Sequence, residues 1–262
     1  MQKILFLGRK SVAAQCLAWL CDRSDVDVVG VLTDSHLPVS ATRDVAEQRR
    51  IPLFTRATAE ESASSGKLEF DLAISMLYWL KIRQPLLQIA SKGVINFHPA
   101  PLPDFKGTGG YNLAILKNLS EWGVSAHYVD EEIDTGPIIT VARFPIDQAE
   151  ETAQSLEKRC REPLFHLFKD VVGCALTSSN RLPAKPNVGG VYVSRDEMEA
   201  LKEVRKNDDI PRKIRAFWYP PYDGAYLTID GGKYTLIDRF ILNSLSDPTV
   251  GNVFMSNVES RS

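Results

Sequence analysis

Gly93-Val94-Ile95-Asn96-Phe97-His98-Pro99 reads as a buried strand that ends in chemistry. Its apolar residues suit a sheet interior, and Pro99 biases His98 toward extended backbone and away from helix. Residues two apart in a strand point to the same face, so the Asn96 amide and the His98 imidazole are expected to project together from the strand end. Pro101 and Pro103 stiffen the chain as it leaves. Thirty-six residues beyond His98 comes Asp134-Thr135-Gly136-Pro137, a turn that carries a carboxylate. Taken singly, Asn96 and His98 would pass for a satisfied turn, and Asp134 for a loop cap. Together on a rigid frame they are the parts of an acyl transfer: the amide stabilises an oxyanion while the other two manage protons.

The same strand signature recurs upstream. Residues 3–7 form an apolar run closed by Gly8, residues 26–32 a β-branched run, residues 51–54 a short strand and residues 71–76 a core strand. Helical spacing fills residues 12–20 and 39–50. Strands alternating with helices predict an α/β protein with a Rossmann-like, doubly wound, mostly parallel sheet. Ligands of such sheets bind outside the carboxyl ends of the strands. His98 lies at one such end, and Gly8-Arg9-Lys10-Ser11 at another. There a helix N-terminus favours anions, so Arg9, Lys10 and Ser11 are candidates for a diphosphate contact, with a solvated loop as the alternative. No Gly-x-Gly-x-x-Gly follows Gly8, so this is not a dinucleotide fingerprint.

Downstream, Gly107-Thr108-Gly109-Gly110 opens a helix over residues 107–118, and residues 122–130 alternate as a half-buried strand leading into the Asp134 turn. Residues 138–146 return as a strand. Residues 151–175 make a long amphipathic helix, expected to bend or restart near Pro163. Arg181-Leu182-Pro183-Ala184-Lys185-Pro186-Asn187 reads as a linker. It divides residues 1–180 from a small C-terminal α+β appendage over residues 187–262. That appendage holds a strand at 191–193, a helix at 196–206 and a hairpin of residues 225–230 and 233–238 joined through Gly231-Gly232.

The 262 residues carry a net charge of −2, with 44% hydrophobic and 24% charged residues, as in an ordinary globular protein. No global field draws the chain to nucleic acid or anionic lipid. From residue 186 onward ten Lys/Arg face eleven Asp/Glu, so the tail is not basic. The apolar run at the N-terminus is too short for a signal peptide, and no stretch approaches the ~20 apolar residues of a spanning helix. Cys16, Cys21, Cys160 and Cys174 lack Cys-x-x-Cys spacing and read as reduced, mostly buried thiols of a cytoplasmic protein. His36, His98, His127 and His166 form no zinc-type spacing, and no metal is expected.

Asn96-Phe97-His98-Pro99-Ala100-Pro101-Leu102-Pro103, Lys106-Gly107 and Ile133-Asp134-Thr135-Gly136-Pro137 resemble the formyltransferases that use N10-formyltetrahydrofolate. The resemblance covers residues 1–180. Within that family, Arg215-Ala216-Phe217-Trp218-Tyr219-Pro220-Pro221-Tyr222-Asp223-Gly224-Ala225-Tyr226 looks most like the sugar N-formyltransferases, which modify the amine of a nucleotide-linked amino-deoxysugar. The resemblance implies catalytic roles for Asn96, His98 and Asp134. It places Leu80, Ile82, Val129 and Glu131 around the folate ring through main-chain groups, with Tyr78 as a flat wall; the alternative is that these are core residues. Lys106 stands where many relatives have Arg, which keeps the charge but loses the bidentate fork for a phosphate. The tail aromatics either stack on a nucleotide base, with Tyr222 or Phe217 as the stacker, or pack against the main domain.

Implied with the family are a cytoplasmic enzyme, a nucleotide-linked aminosugar as partner, and a role in surface polysaccharide (lipopolysaccharide O-antigen) biosynthesis. A homodimer through the tail is expected, because a lone two-stranded hairpin is marginally stable. A methionyl-tRNA formyltransferase would need a longer, basic C-terminal domain. A glycinamide ribonucleotide formyltransferase would leave the tail from Asn187 without a purpose, and a formyltetrahydrofolate hydrolase carries an N-terminal module for which this chain has no room. A non-catalytic ligand-binding relative would not need the complete Asn/His/Asp set. The nucleotide base, the sugar stereochemistry and the choice of C3 or C4 amine depend on loop geometry.

Overall fold

The apolar runs of the first half become parallel strands: β1 (Gln2–Gly8), β2 (Val26–Leu32), β3 (Leu53–Phe54), β4 (Leu72–Met76) and β5 (Val94–His98). The computed structural model describes residues 1–34 and 37–245; His36 and residues 246–262, the end of the expected appendage, lie outside the described residues. Between the strands run α1 (Lys10–Cys21), α2 (Ala41–Gln48), α3 (Arg56–Ser64) and the single turn α4 (Leu86–Ile89). The chain then leaves the sheet through β6 (Phe105–Gly107) and α5 (Gly110–Leu116). It returns as two antiparallel strands, β7 (Glu121–Tyr128) and β8 (Ile138–Pro145). The seven-stranded sheet has the order β3-β2-β1-β4-β5-β7-β8. The mostly parallel, doubly wound architecture is as expected.

Ile4, Leu5, Phe6 and Leu7 are all completely buried, which explains why β1 reads as a continuous apolar run rather than an alternating one. Period two sends Ile4 and Phe6 to one layer with Leu17, Phe97, Trp122 and Phe168, and Leu5 and Leu7 to the other with Ala59, Leu86 and Val94. Strand order reverses at β1, whose neighbours are β2 and β4. A crevice opens outside the carboxyl ends of such neighbours. Here Arg9 N–H donates to the Met76 carbonyl at 3.2 Å and joins the two strand ends.

Several expectations need correction. β7 is buried along nearly its whole length rather than half-buried, because the exit loop after β5 covers its second face: Ser125 Oγ accepts from Leu102 N–H at 2.8 Å and donates to the Ala100 carbonyl at 2.7 Å. α6 (Ala153–Thr177) runs unbroken through Pro163. Proline removes one internal hydrogen bond, but Leu156 and Cys160 before it and Leu164 and Phe168 after it are buried on the same core. Both halves thereby pack on one core without a restart. α3 escapes a pattern search because only Ala59 and Ala63 of it are buried, although Thr55 and Thr58 close a capping box at its start.

The supposed linker is strapped to the sheet. Lys185 and Ile138 exchange two main-chain hydrogen bonds of 2.8 Å, and Leu182 N–H donates to Tyr128 Oη at 2.6 Å. The strap feeds β9 (Val191–Val193), which pairs in parallel with β6. α7 (Arg195–Ala200) is shorter than the helix expected to residue 206, because Lys202 and Val204 turn to bond main-chain groups of Tyr226. A second helix, α8 (Ile210–Phe217), starts at an Asp209 cap followed by a proline. The hairpin of β10 (Tyr226–Ile229) and β11 (Gly232–Thr235) turns through Asp230-Gly231, both with positive φ, rather than through Gly231-Gly232. With α9 (Arg239–Ser244) these elements bury Ile214, Phe217, Ala225 and Ile241 against Leu113 and Ile115 of α5.

Gly136, in the turn between β7 and β8, lies where a Cβ would run into the Tyr128 carbonyl. Gly136→Ala is expected to lower unfolding stability by about 1–3 kcal/mol, the range of overpacking substitutions, read as a lower urea midpoint.

Candidate active site

Asn96 and His98 leave the end of β5 on one face, as period two requires. Antiparallel register sets His127 of β7 directly opposite Asn96 and Ser125 opposite His98. Asp134, at φ +55°, turns its carboxylate back over this pair. Its Oδ2 accepts from Gly107 N–H at 2.9 Å and lies 3.4 Å from His98 Nδ1, while its Oδ1 lies 3.4 Å from both His127 Nε2 and Asn96 Nδ2. All three predicted catalytic residues therefore meet at one point, joined by a second histidine.

The hydrogen bonds set the tautomers. His127 Nδ1 lies 2.7 Å from the Tyr128 carbonyl, which can only accept, so Nδ1 carries the proton. Its Nε2 then accepts from Asn96 Nδ2 at 3.0 Å, which fixes the Asn96 amide with its nitrogen toward the site. One N–H of Asn96 is thus engaged by His127, and the other makes the longer, 3.4 Å contact with Asp134 Oδ1. His98 Nε2 lies 3.1 Å from the Phe105 carbonyl and must be the protonated nitrogen, which leaves the Nδ1 lone pair facing Asp134. Burial lowers the His98 pKa, and the Asp134 charge only partly offsets that. For Asp134 burial acts upward, but His98, His127 and the Gly107 N–H outweigh it and hold the carboxyl at about 2. At neutral pH the site therefore pairs an ionised Asp134 with a neutral His98 that can take a proton on Nδ1.

Two cavities meet here. One of about 330 Å³ is lined by Arg9, Lys10, Tyr111, Tyr192 and the loop from Gly107 to Gly110. The other, about 100 Å³, is lined by Leu80, Ile82, His127 and Val129. Tyr78, Asn96, Ile133 and Asp134 belong to both walls.

Leu80, Ile82, Val129 and Tyr78 thus line one cavity. Glu131 is exposed and off both walls, and Asp130 and Glu132 line the smaller cavity in its place, because Asp130 Oδ1 turns inward to accept from Thr135 Oγ1 at 2.6 Å. Arg9 and Lys10 reach the larger cavity, whereas Ser11 is exposed on α1 away from it. Lys10 Nζ is held by Glu157 Oε1 and Tyr219 Oη, each at 3.3 Å. Lys106 Nζ donates to the Asn187 carbonyl at 3.4 Å and is outside both walls. Phe217 is 2% exposed and its ring belongs to the appendage core, so it presents no face to a ligand. Tyr222 is exposed next to Tyr219, with ring centroids 5.7 Å apart, but lines neither cavity.

Three residues of the site escaped sequence reasoning. His127 was visible only as one member of an alternating strand, and its place opposite Asn96 is a matter of register. Tyr192 lies against Gly107, where a Cβ would stand 2.6 Å from the ring. The aromatic character of residues 191–193 was the available signal, but the pairing that brings it to the cavity was not. Asn187 donates from Nδ2 to the carbonyls of Asp134 and Gly136 at 2.9 and 3.0 Å. Among the described residues no His/Cys/Asp/Glu group could hold a metal, and no helix is long and apolar enough to cross a membrane. Cys16 and Cys160 are buried, and burial raises both thiols; Cys21 is half-buried and Cys174 exposed.

A mostly parallel sheet with an amide, imidazole and carboxylate at its carboxyl end defines an acyl-transfer enzyme of α/β class. Residues 2–172 match the formyl transferase family, and the chain belongs to that family: it is an N-formylating enzyme. It is 30% identical over 196 residues to a GDP-perosamine N-formyltransferase of Brucella melitensis, covering 73% of this chain and 75% of that one. Over 244 residues it is 27% identical to a methionyl-tRNA formyltransferase of Listeria welshimeri, covering 88% and 76%. In fold it resembles a 4-N formyltransferase from Francisella tularensis, with a TM-score of 0.76, 20% identity and coverage of 90% and 97%. It also resembles an N-formyltransferase from Helicobacter canadensis solved with folinic acid and dTDP-3-aminofucose, with a TM-score of 0.71, 23% identity and coverage of 89% and 86%.

The Asp134 charge raises the His98 pKa against burial, so Asp134→Asn should move the His98 titration further below the ordinary value of 6.5. An imidazole NMR titration reads this directly, and an upward shift would contradict the assigned electrostatics.

Proposed function

We propose that this enzyme transfers the formyl group of N10-formyltetrahydrofolate to the amine of a nucleotide-linked 3- or 4-amino-deoxysugar. The observation that carries the reading is the meeting of two cavities at Asn96 and Asp134. A donor and an acceptor can approach one reacting centre from opposite sides. The smaller cavity sets Leu80, Ile82 and Val129 beside the polar groups of Lys81, Asn96, His127 and Asp130, which suits a flat ring with a polar edge. The larger cavity offers the cations Arg9 and Lys10 at its mouth and the exposed ring of Tyr192, which suits a diphosphate and a base or sugar face.

Asn96, turning the N–H of its long 3.4 Å contact with Asp134 Oδ1 to the substrate, donates to the oxygen that gains charge as the amine adds to the formyl carbon. Fixed donors of this kind contribute roughly 3 kcal/mol in other acyl transfers. Asp134 accepts the proton lost by the attacking amine, directly or through a water. That proton passes from Asp134 to His98 Nδ1, 3.4 Å away, and the imidazolium so formed, stabilised by the Asp134 charge that the transfer restores, delivers it to the departing nitrogen. The products are a sugar formamide and tetrahydrofolate.

Residues 1–180 supply this chemistry in our reading, and residues 187–262 complete the acceptor side and join two chains into a dimer. The protein works in the cytoplasm on a precursor of surface polysaccharide. The methionyl-tRNA formyltransferase likeness supports a rival reading, which the tail's balance of ten basic against eleven acidic residues disfavours.

Incubation with formyltetrahydrofolate and a panel of nucleotide-linked aminosugars should add one formyl group by mass, and formylation of methionyl-tRNA alone would overturn the reading. Asn96→Ala should lower kcat about 100- to 1,000-fold with an unchanged melting temperature. Tyr192→Ala should raise KM for the nucleotide sugar while kcat at saturation stays near that of the parent enzyme.

A further inference from the structure

The Asp134 carboxylate needs a backbone that few residues adopt. Its φ of +55° is left-handed, a region that few residues other than Gly, Asn and Asp enter readily. Gly136, two residues on, is pressed against the Tyr128 carbonyl. Such a turn persists only when its surroundings over-determine it. From one side the carboxylate is gripped by Gly107 N–H at 2.9 Å. From the other, the Asn187 amide spends both of its N–H groups on the main chain of the turn, at the Asp134 carbonyl (2.9 Å) and the Gly136 carbonyl (3.0 Å).

Among uncharged side chains only Asn and Gln carry two protons on one nitrogen, and Asn is the shorter of the two. The amide orientation is unambiguous, because a flipped Asn187 would set its oxygen against two carbonyls. Its own Oδ1 is buried without a hydrogen-bond partner, so only its donor end is bonded. Asn187 is itself held by the strap: Lys185 is bonded to Ile138, and the Asn187 carbonyl accepts from Lys106 Nζ at 3.4 Å. Lys106 and Gly107 lie on β6, and β6 pairs with β9, the strand that follows Asn187. Both grips on Asp134 therefore belong to one paired unit.

We infer that Asn187 is a positioning residue for catalysis, clamping the Asp134 turn so that the strap to the C-terminal appendage is part of the transfer machinery. The inference rests on the catalytic reading of Asp134 and adds a residue outside it.

The test compares Asn187→Ala, Asn187→Asp and Asp134→Asn in the full chain, measuring kcat, KM, melting temperature and the His98 imidazole titration. Asn187→Ala should lower kcat about 10- to 100-fold, the penalty of misplacing a catalytic group by an ångström, with both KM values within about twofold. Asn187→Asp, the same size but without donors when ionised, should lose at least as much, and in Asn187→Ala, which adds no charge, the His98 titration should move down toward that of Asp134→Asn. Parent-like kcat in Asn187→Asp would overturn the proposal. So would a loss of kcat that accompanies a lowered melting temperature and an unmoved His98 titration, which marks a merely structural role. If Asp134→Asn itself turns over normally, the catalytic reading of Asp134 fails, and the clamp fails with it.

Discussion

The site depends on keeping one carboxylate ionised in a place with little water. Asp134 has a side chain about one-tenth exposed, and burial alone would favour its neutral form. Two imidazoles, the Asn96 amide and the Gly107 N–H surround it and reverse that preference. These partners arrive from three elements: Asn96 and His98 from β5, His127 from β7 and Gly107 from β6. Bringing them within 3.4 Å of one carboxylate demands a rigid sheet and an exit loop anchored at several points. The Trp122 indole donates to the Pro99 carbonyl at 3.0 Å, and Ser125 bonds Ala100 and Leu102. These contacts serve the geometry of the reaction as much as the stability of the fold.

The sheet topology then decides where ligands can come from. Reversal of strand order beside β1 opens the crevice that Arg9 and Lys10 flank, while the antiparallel addition of β7 and β8 builds a second wall beyond β5. The reacting groups lie between these two regions. That placement gives each side of the site its own chemistry: two cations and the exposed Tyr192 ring toward the larger cavity, aliphatic side chains mixed with polar ones toward the smaller. The tail is more closely joined to this centre than its composition suggests, since it returns along β6 and touches the Asp134 turn.

How much of this could be read in advance differs from element to element. Asn96 and His98 were legible because a two-residue spacing in a strand is a local rule that no packing can change. β1, β2 and β4 were legible because doubly covered strands are apolar without interruption. Pro163 misled because helix breaking is also a local rule, yet here a continuous buried stripe outweighed one lost hydrogen bond. Phe217 misled because an aromatic cluster has the same composition whether it packs or stacks. Only the appendage core against α5 separates the two. Proline and polar residues at 181–187 suggested a free linker, and main-chain pairing with Ile138, invisible to composition, made it a strap.

By itself the sequence determined the parallel α/β class, the amide, imidazole and carboxylate, and the strand end from which the first two project. These follow from periodicity and residue chemistry, which act over a few positions. Tertiary structure alone decided that His127 orients Asn96, that Asn187 clamps Asp134, and that Tyr192 rather than Phe217 faces a cavity. Each of those is a contact between segments far apart in the chain, set by strand register and by which face a distant element covers. The pattern of a single segment holds no record of either.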